Sequence, residues 1–335
     1  MSKPNSKSKK IYVVTGGAGF IGSAMVWKLN QLGLRDIWVV DQLGMDEKWK
    51  NLRSLKFADF VPKDQLFQLL NSKGVAAKVT AIVHMGACSS TTERDADYLY
   101  QNNFTYSCRL ADWAVRQGVR FLYASSAATY GNGLLGYSDD DGVTPTLLPM
   151  NMYGYSKQLF DGWVLKNNLQ KVFVGFKFFN VYGPNEYHKG DMMSVICKAY
   201  SQISETGKLK LFKSYRPEYA DGGQQRDFVY VKDAVNVMAW FLDRPRSHGI
   251  FNLGSGQART WNDLARAIFA AMGKPLNIEY IPMPESIRDR YQYFTCADMT
   301  KLTRAGCPQA FTRLEDGVRD YVVNYLASPE HPYLS

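Results

Sequence analysis

Tyr153 and Lys157 stand four residues apart in NMYGYSKQLFD. On a helix that spacing puts both side chains on one face, with Cβ atoms about 5–6 Å apart. A lysine ammonium beside a phenol favours the phenolate and lowers its pKa. A tyrosine so tuned takes a proton from an alcohol as hydride leaves the carbon, or returns it. The spacing arises readily by chance in a chain with 21 tyrosines, and this is its one Tyr-x3-Lys. Tyr155, two residues before Lys157, points elsewhere on a helix and does not suit as the base. Upstream, LYASSAATYG places Ser125 and Ser126 at the end of an apolar run. Strand C-termini are where doubly wound α/β folds hold ligands, so a hydroxyl there is placed to hydrogen-bond a reacting oxygen. A turn serine capping a helix is the equally weighted alternative.

A second constellation is TGGAGFIG, Thr15 to Gly22, directly after KIYVV. Residues 17–22 satisfy G-x-G-x-x-G, and Gly16, Gly19 and Gly22 satisfy G-x-x-G-x-x-G. Glycines there permit a tight turn, a bare backbone facing a pyrophosphate, and close helix–sheet packing. The helix that follows offers free N–H groups and a positive dipole end to phosphates. The motif alone is weak. Here a strand precedes it, a helix follows, and Asp41 ends a second strand, DIWVVD, nineteen residues beyond Gly22. An acid there takes the ribose hydroxyls of an adenosine half. By that rule Asp41 favours NAD over NADP, while Lys48 and Lys63 downstream offset it.

These groups need elements to hold them. KIYVVT, DIWVVD, VTAIVHM (79–85), VRFLYAS (119–125) and KVFVGFKFFN (171–180) read as strands. Phe20–Leu32, Arg94–Gln117 and Tyr153–Asn168 read as helices between them. Apolar strands alternating with helices predict a parallel sheet buried on both faces, and right-handed crossovers make it a doubly wound Rossmann sheet. After Asn180 the rhythm breaks in YGPNEYHKGD and SYRPEYADGGQQRD. The fold class expected is α/β: a doubly wound parallel Rossmann sheet with a smaller C-terminal α/β substrate lobe. Residues 1–9 read as a disordered basic arm and 10–180 as the dinucleotide-binding domain, with returning segments near 226–256. Residues 181–335 read mainly as the substrate lobe.

Composition bounds the rest. With 335 residues, 46% apolar and 21% charged, the chain is of ordinary globular make-up. No apolar run is long enough to span a bilayer, and the arm is not followed by the apolar region of a secretory signal. The net charge is +9, of which four lysines lie in MSKPNSKSKK. A modest excess suits an anionic substrate such as a nucleotide, and without a further basic block a nucleic-acid groove has little support. Five widely spaced cysteines with no CxxC fit free thiols in a reducing cytoplasm. Four scattered histidines without HExxH argue against a metal.

The glycine turn, Ser126, and Tyr153 with Lys157, in that order, resemble the extended short-chain dehydrogenase/reductase family. VTGGAGFIGS, HMGACSSTTE, FLYASSAATYG, YGYSK, FFNVYGPNEYHKG, RDFVYV, IFNLGSGQA and RYQYFT together resemble the ADP-L-glycero-D-manno-heptose 6-epimerase family, from about Lys10 to Tyr325. GACSSTTE and HKG are the narrow signals. The resemblance implies inversion of C6″ in an ADP-activated heptose, a step in building the lipopolysaccharide inner core. The reaction it implies is transient oxidation to a 6″-ketone and return of the hydride from the same bound coenzyme, usually NADP and in some members NAD. It also implies a cytoplasmic homo-oligomer, a homopentamer by family analogy.

The resemblance further implies residue roles. Tyr153 and Lys189 are the two acid/base groups, Ser126 steadies the oxygen, and Lys157 grips the nicotinamide ribose. The coenzyme residues are Gly16, Gly17, Gly19, Phe20, Ile21, Gly22, Asp41, Gln42, Lys48, Lys63, Met85, Gly86, Ala87, Cys88, Ser89, Asn102, Lys157, Val181 and Lys189. The substrate residues are Asn180, Asp191, Lys198, Phe212, Lys213, Ser214, Arg226 and Tyr291, with Arg226 as the pyrophosphate clamp. The chain departs from the family's pattern at Asp191, where a serine is more usual, at Lys198, where a histidine is usual, and at Gln42, where an asparagine is usual. SYRPEYADGGQQRDF is longer than its counterpart. The alternatives are another sugar-nucleotide enzyme, such as a UDP-sugar 4-epimerase or a dehydratase, and a non-catalytic NADP-binding protein. Ala127-Ala128 after Ser126 argue against a dehydratase, which commonly carries an Asp-Glu pair there, and intact Tyr153 and Lys157 argue against a non-catalytic protein.

Overall fold

The computed structural model describes residues 10–288, 291–330 and 332–335; the basic arm, 1–9, lies outside them. Among the described residues there are twelve strands, most of them separated by helices. They are β1 Ile11–Thr15, β2 Ile37–Asp41, β3 Asp59–Pro62, β4 Val79–His84, β5 Arg120–Ser126, β6 Val174–Phe178, β7 Asn180–Tyr182, β8 Leu209–Phe212, β9 Gln225–Tyr230, β10 Gly249–Leu253, β11 Ala258–Thr260 and β12 Ile278–Ile281. Seven form the central sheet in the order β10-β6-β5-β4-β1-β2-β3, every pair parallel. Val13, Val14, Val39, Ile82 and Val83 are wholly buried because helices cover both faces. The strand order reverses between β1 and β4, and a crevice opens outside the carboxyl ends of the strands at such a point.

The strands are shorter than their apolar runs suggest. KVFVGFKFFN yields only Val174–Phe178 in β6, since Leu169–Lys171 is a 3-10 turn and Asn180 starts β7 in another sheet. GIFNLG returns as β10 to the edge of the central sheet, while Val231–Leu242 packs as a helix against Phe20–Gln31. A three-stranded sheet, β11-β9-β7, and a parallel pair, β12-β8, flank the crevice from the C-terminal side. The predicted helix Arg94–Gln117 starts at Ala96, capped by the Asp95 carboxylate, and contains a π turn at Tyr100–Thr105. Helix Met152–Lys166 starts at an Asn151 cap, whose side chain accepts from Gly154 N at 2.8 Å. All five cysteines are free thiols.

Candidate active site

The crevice is a cleft of about 780 Å³. Its floor on the β1 side is the glycine turn. Gly16 has φ +63°, and a Cβ there would come within 2.7 Å of Gly86 N. A Cβ on Gly22 would lie 2.0 Å from the Gly16 carbonyl oxygen. Both positions therefore exclude any side chain, and the bare backbone lines the cleft. Gly17 faces away from it, under β1 and β2. Helix Phe20–Gln31 begins after Gly19 with no side-chain cap, so its first amides remain available to an anion.

Asp41 ends β2 and lines the cleft, and its carboxylate is engaged by the protein itself. Its Oδ2 accepts from Ala18 N at 2.9 Å, and its Oδ1 accepts from Gln42 N at 2.7 Å and Lys48 Nζ at 3.0 Å. The carboxylate thus pins the glycine turn, and Lys48 neutralises it. Lys63 Nζ donates to Asn102 Oδ1 at 3.0 Å. Phe20, Ile21, Gln42, Lys48, Lys63, Met85, Gly86, Ala87, Cys88, Ser89, Asn102 and Val181 all line the cleft, as do Gly16, Gly19 and Gly22. His84 holds the loop after β4. Ser107 Oγ donates to Asn103 O, so it accepts from His84 Nε2 at 2.8 Å, and Nδ1 accepts from Thr15 Oγ1 at 2.6 Å. Burial pushes the imidazole down to about 3, so it stays neutral.

The two serines at the end of β5 separate by strand alternation. Ser125 Oγ turns into the core and donates to Asp161 Oδ2 at 2.6 Å, while Ser126 lines the cleft with Tyr153 and Lys157. Burial raises the Tyr153 phenol, and a hydrogen bond with Ser126 partly offsets the rise. The expected lowering by Lys157 is not what this geometry gives. Lys157 Nζ donates to the Ala124 carbonyl at 2.9 Å, and burial lowers Lys157 itself to about 8. Sequence reasoning missed Asn103. Its side chain accepts from Cys88 N at 2.8 Å and donates to Cys88 O at 2.9 Å and Ser156 Oγ at 3.0 Å. It thereby fastens the β4 loop to the Tyr153 helix.

Lys189 enters the cleft from the loop after β7, its Nζ 5.3 Å from the centre of the Phe20 ring. Burial lowers its pKa, Glu186 opposes the shift and Lys198 adds to it. Glu186 anchors the loop, accepting from Ser194 Oγ at 2.6 Å and Gly183 N at 3.3 Å. Asn180 lines the same cleft. Asp191 and Lys198 do not; both are exposed, and Lys198 Nζ donates to the Asp191 carbonyl. The Asp191 carboxylate is therefore not Lys198's partner.

The C-terminal wall is aromatic. Arg226, on β9, is buried between the Trp261 ring at 5.6 Å and the Tyr291 ring at 5.3 Å. Trp261 Nε1 donates to Tyr291 Oη at 3.0 Å, and Phe212 packs edge-on to Tyr291. Among the described residues no carboxylate pairs with Arg226; its one hydrogen bond to the chain is to the Gln225 carbonyl at 2.8 Å. Toward the described residues, most of the guanidinium fork makes no hydrogen bond in its buried slot. Tyr291 also lines a second cavity of about 230 Å³. Lys213 is exposed, and Ser214 N donates to Asp221 Oδ1 at 2.7 Å. Phe212, Lys213, Ser214, Arg226 and Tyr291 do not line the main cleft; Trp261 joins it to the Arg226 slot. Trp261 had no signal in the sequence beyond starting a helix.

The model of the NAD dependent epimerase/dehydratase family matches residues 12–254. The ADP-L-glycero-D-manno-heptose-6-epimerase of Nitratidesulfovibrio vulgaris strain DP4 is 58% identical, covering 97% of this chain and 100% of that protein. Its namesake from Fusobacterium nucleatum is 49% identical over 96% of this chain and 99% of its own. The crystal structure of the Helicobacter pylori ADP-L-glycero-D-manno-heptose-6-epimerase superposes with a TM-score of 0.76 at 24% identity, covering 96% of this chain and 98% of that one. That likeness shows the shared fold. By sequence and by family model, the chain belongs to the NAD dependent epimerase/dehydratase family and, within it, to the ADP-L-glycero-D-manno-heptose-6-epimerases.

Proposed function

We propose that this protein interconverts ADP-D-glycero- and ADP-L-glycero-D-manno-heptose at C6″, by oxidation to a ketone and reduction on the other face. The observation that carries the reading is that one cleft gathers Tyr153 with Ser126 and, from a separate loop, Lys189. Inversion turns the hydroxyl to opposite sides in the two half-reactions, and one fixed tyrosine is poorly placed for both.

The coenzyme fits the residues present. The turn at Gly16 and Gly22 has no room for a Cβ, and uncapped amides follow it. NADP is the coenzyme of this reading, because Lys48 neutralises Asp41 and so relieves the carboxylate's repulsion of a 2′-phosphate; NAD is the alternative. When bound, the coenzyme accepts hydride from C6″ and gives it back. Lys157 holds the nicotinamide ribose. Ser126 donates to the C6″ oxygen, and Tyr153 takes or returns the hydroxyl proton of one epimer. Lys189 does the same for the other, burial lowering its pKa below the usual lysine value. Arg226, which pairs with no carboxylate among the described residues and is backed by two rings, receives the pyrophosphate of the ADP group.

A homo-oligomer, a pentamer by family analogy, and a cytoplasmic location belong to the same proposal; no helix among the described residues is long and apolar enough to cross a membrane. Turnover in D2O tests the chemistry. Hydride return from one bound coenzyme predicts a product with protium at C6″. Deuterium at that carbon would mean proton exchange with solvent and overturn the oxidation–reduction route.

A further inference from the structure

We propose that Asp161 and Lys177 are positioning residues: a buried ion pair that fixes the strand end bearing Ser126 and supplies the negative charge that Lys157 faces. The inference rests on the roles given above to Ser126 and Lys157.

Asp161 lies one turn beyond Lys157 on helix Met152–Lys166, and both members of the pair are wholly buried. Its Oδ1 accepts from Tyr123 Oη at 3.0 Å, and its Oδ2 accepts from Ser125 Oγ at 2.6 Å and Lys177 Nζ at 2.8 Å. Tyr123 and Ser125 are alternate residues of β5, so the carboxylate grips the strand on both sides of Ala124. The Ala124 carbonyl is the one that holds Lys157 Nζ. Lys177 pairs with Ser125 across β5 and β6. It also donates to Thr129 Oγ1 at 2.9 Å, and Thr129 Oγ1 donates to the Ser126 carbonyl at 2.8 Å. The network therefore ends on the backbone of Ser126 itself.

Stability alone does not call for this arrangement. Two desolvated charges cost about as much as they gain, and an apolar pair of the same volume serves a core as well. What an apolar pair would lack is charge beside Lys157. The groups facing that ammonium come from four elements. Tyr153 and Asp161 share its helix. The Ala124 carbonyl lies on β5. His84, on β4, is neutral, and Cys88 follows in the next loop. Lys177, on β6, is offset by Asp161. Burial lowers Lys157 to about 8, and Asp161 is the first group opposing that shift, with Cys88 second. One turn along the helix from Lys157, the Asp161 carboxylate favours the charged form that binds a ribose.

The test compares the alkaline limb of kcat/KM in three holoenzymes: wild type, Asp161→Asn, and Asp161→Asn with Lys177→Met. Wild-type activity is expected to fall near pH 8 as Lys157 loses its proton. Asp161→Asn is expected to move that limb down by about one pH unit. The double variant leaves no unpaired buried ammonium, keeps the test alive if the single variant does not fold, and moves the limb the same way by less. Unchanged limbs in both variants, with only kcat or Tm reduced, would make the pair a packing feature and overturn the inference. Wild-type turnover of the ADP-heptose tests the proposed function separately. If wild type does not turn it over, the alkaline limb of NADPH binding, followed by nicotinamide fluorescence, is compared in the same three proteins and decides the inference by the same shift.

Discussion

On the glycine-turn side of the cleft, many lining residues sit at strand ends or in the loops just after them, and Asn102 and Lys157 reach in from within helices. Gly16, Asp41, Met85 and Ser126 follow or end β1, β2, β4 and β5. In the slot that Trp261 joins to the cleft, Arg226, Trp261 and Tyr291 come from three distant points of the chain; the β9–β11 ladder holds the Arg226 backbone, while the Trp261 and Tyr291 rings hold its guanidinium. The first side is fixed by backbone geometry, where a displaced Cα breaks hydrogen bonds. In the slot the guanidinium itself is set by side-chain stacking, which tolerates variation. A family can therefore keep one coenzyme mode while changing the sugar nucleotide it accepts.

If the comparison holds, substitutions on the first side abolish chemistry and those on the second weaken substrate binding. The largest effect is expected from Tyr153→Phe, which should cut turnover about a thousandfold or more while Tm and bound coenzyme are retained. Wild-type turnover in this variant would remove Tyr153 from the mechanism. Gly22→Ala follows. Its Cβ would collide with the Gly16 carbonyl oxygen at 2.0 Å, displace the turn, and weaken coenzyme affinity about a hundredfold by calorimetry. Near-normal affinity would mean the turn has slack that a backbone-fixed site should not have.

Arg226→Lys probes the second side. It loses the planar fork but keeps the charge. KM should rise about tenfold with kcat nearly unchanged, the signature of binding shared by ground and transition states. A loss confined to kcat would place Arg226 among the reacting groups. The smallest effect concerns stability. His84 is held near pKa 3 when folded, against 6.5 unfolded. Between those values the unfolded chain binds the extra proton, so the contribution is full above pH 6.5 and is lost as pH falls toward 3. His84 should give a slope of about 1 kcal/mol per pH unit in that window. His84→Asn should flatten the slope in urea melts at pH 4 to 6; an unchanged slope would assign acid sensitivity elsewhere.

The same contrast explains what could be read in the sequence. The glycine turn, Asp41 and the Tyr153 helix were legible because local backbone demands dictate residue type at fixed spacing. Asp41 lies at the end of β2 in the cleft lining, yet its bonds to Ala18 N and Lys48 depend on a turn and a 3-10 segment that periodicity does not describe. Ser125 and Ser126 looked equivalent until the exact end of β5 decided which one faces the cleft. Asn103 was hidden because the π turn at Tyr100–Thr105 shifts the helical register around it. Asp191 and Lys198 were carried by resemblance, and the structure places them at the exposed side of the loop, outside the cleft lining. Trp261 was invisible because only the fold brings it between the cleft and Arg226.

The most direct measurement of the central claim is NMR of the purified protein with ADP-D-glycero-D-manno-heptose and no added coenzyme. The account predicts that the L-glycero epimer grows in from coenzyme already bound, and that denaturing the protein releases NADP. No epimer from wild type, even with NADP and NAD both supplied, would contradict it.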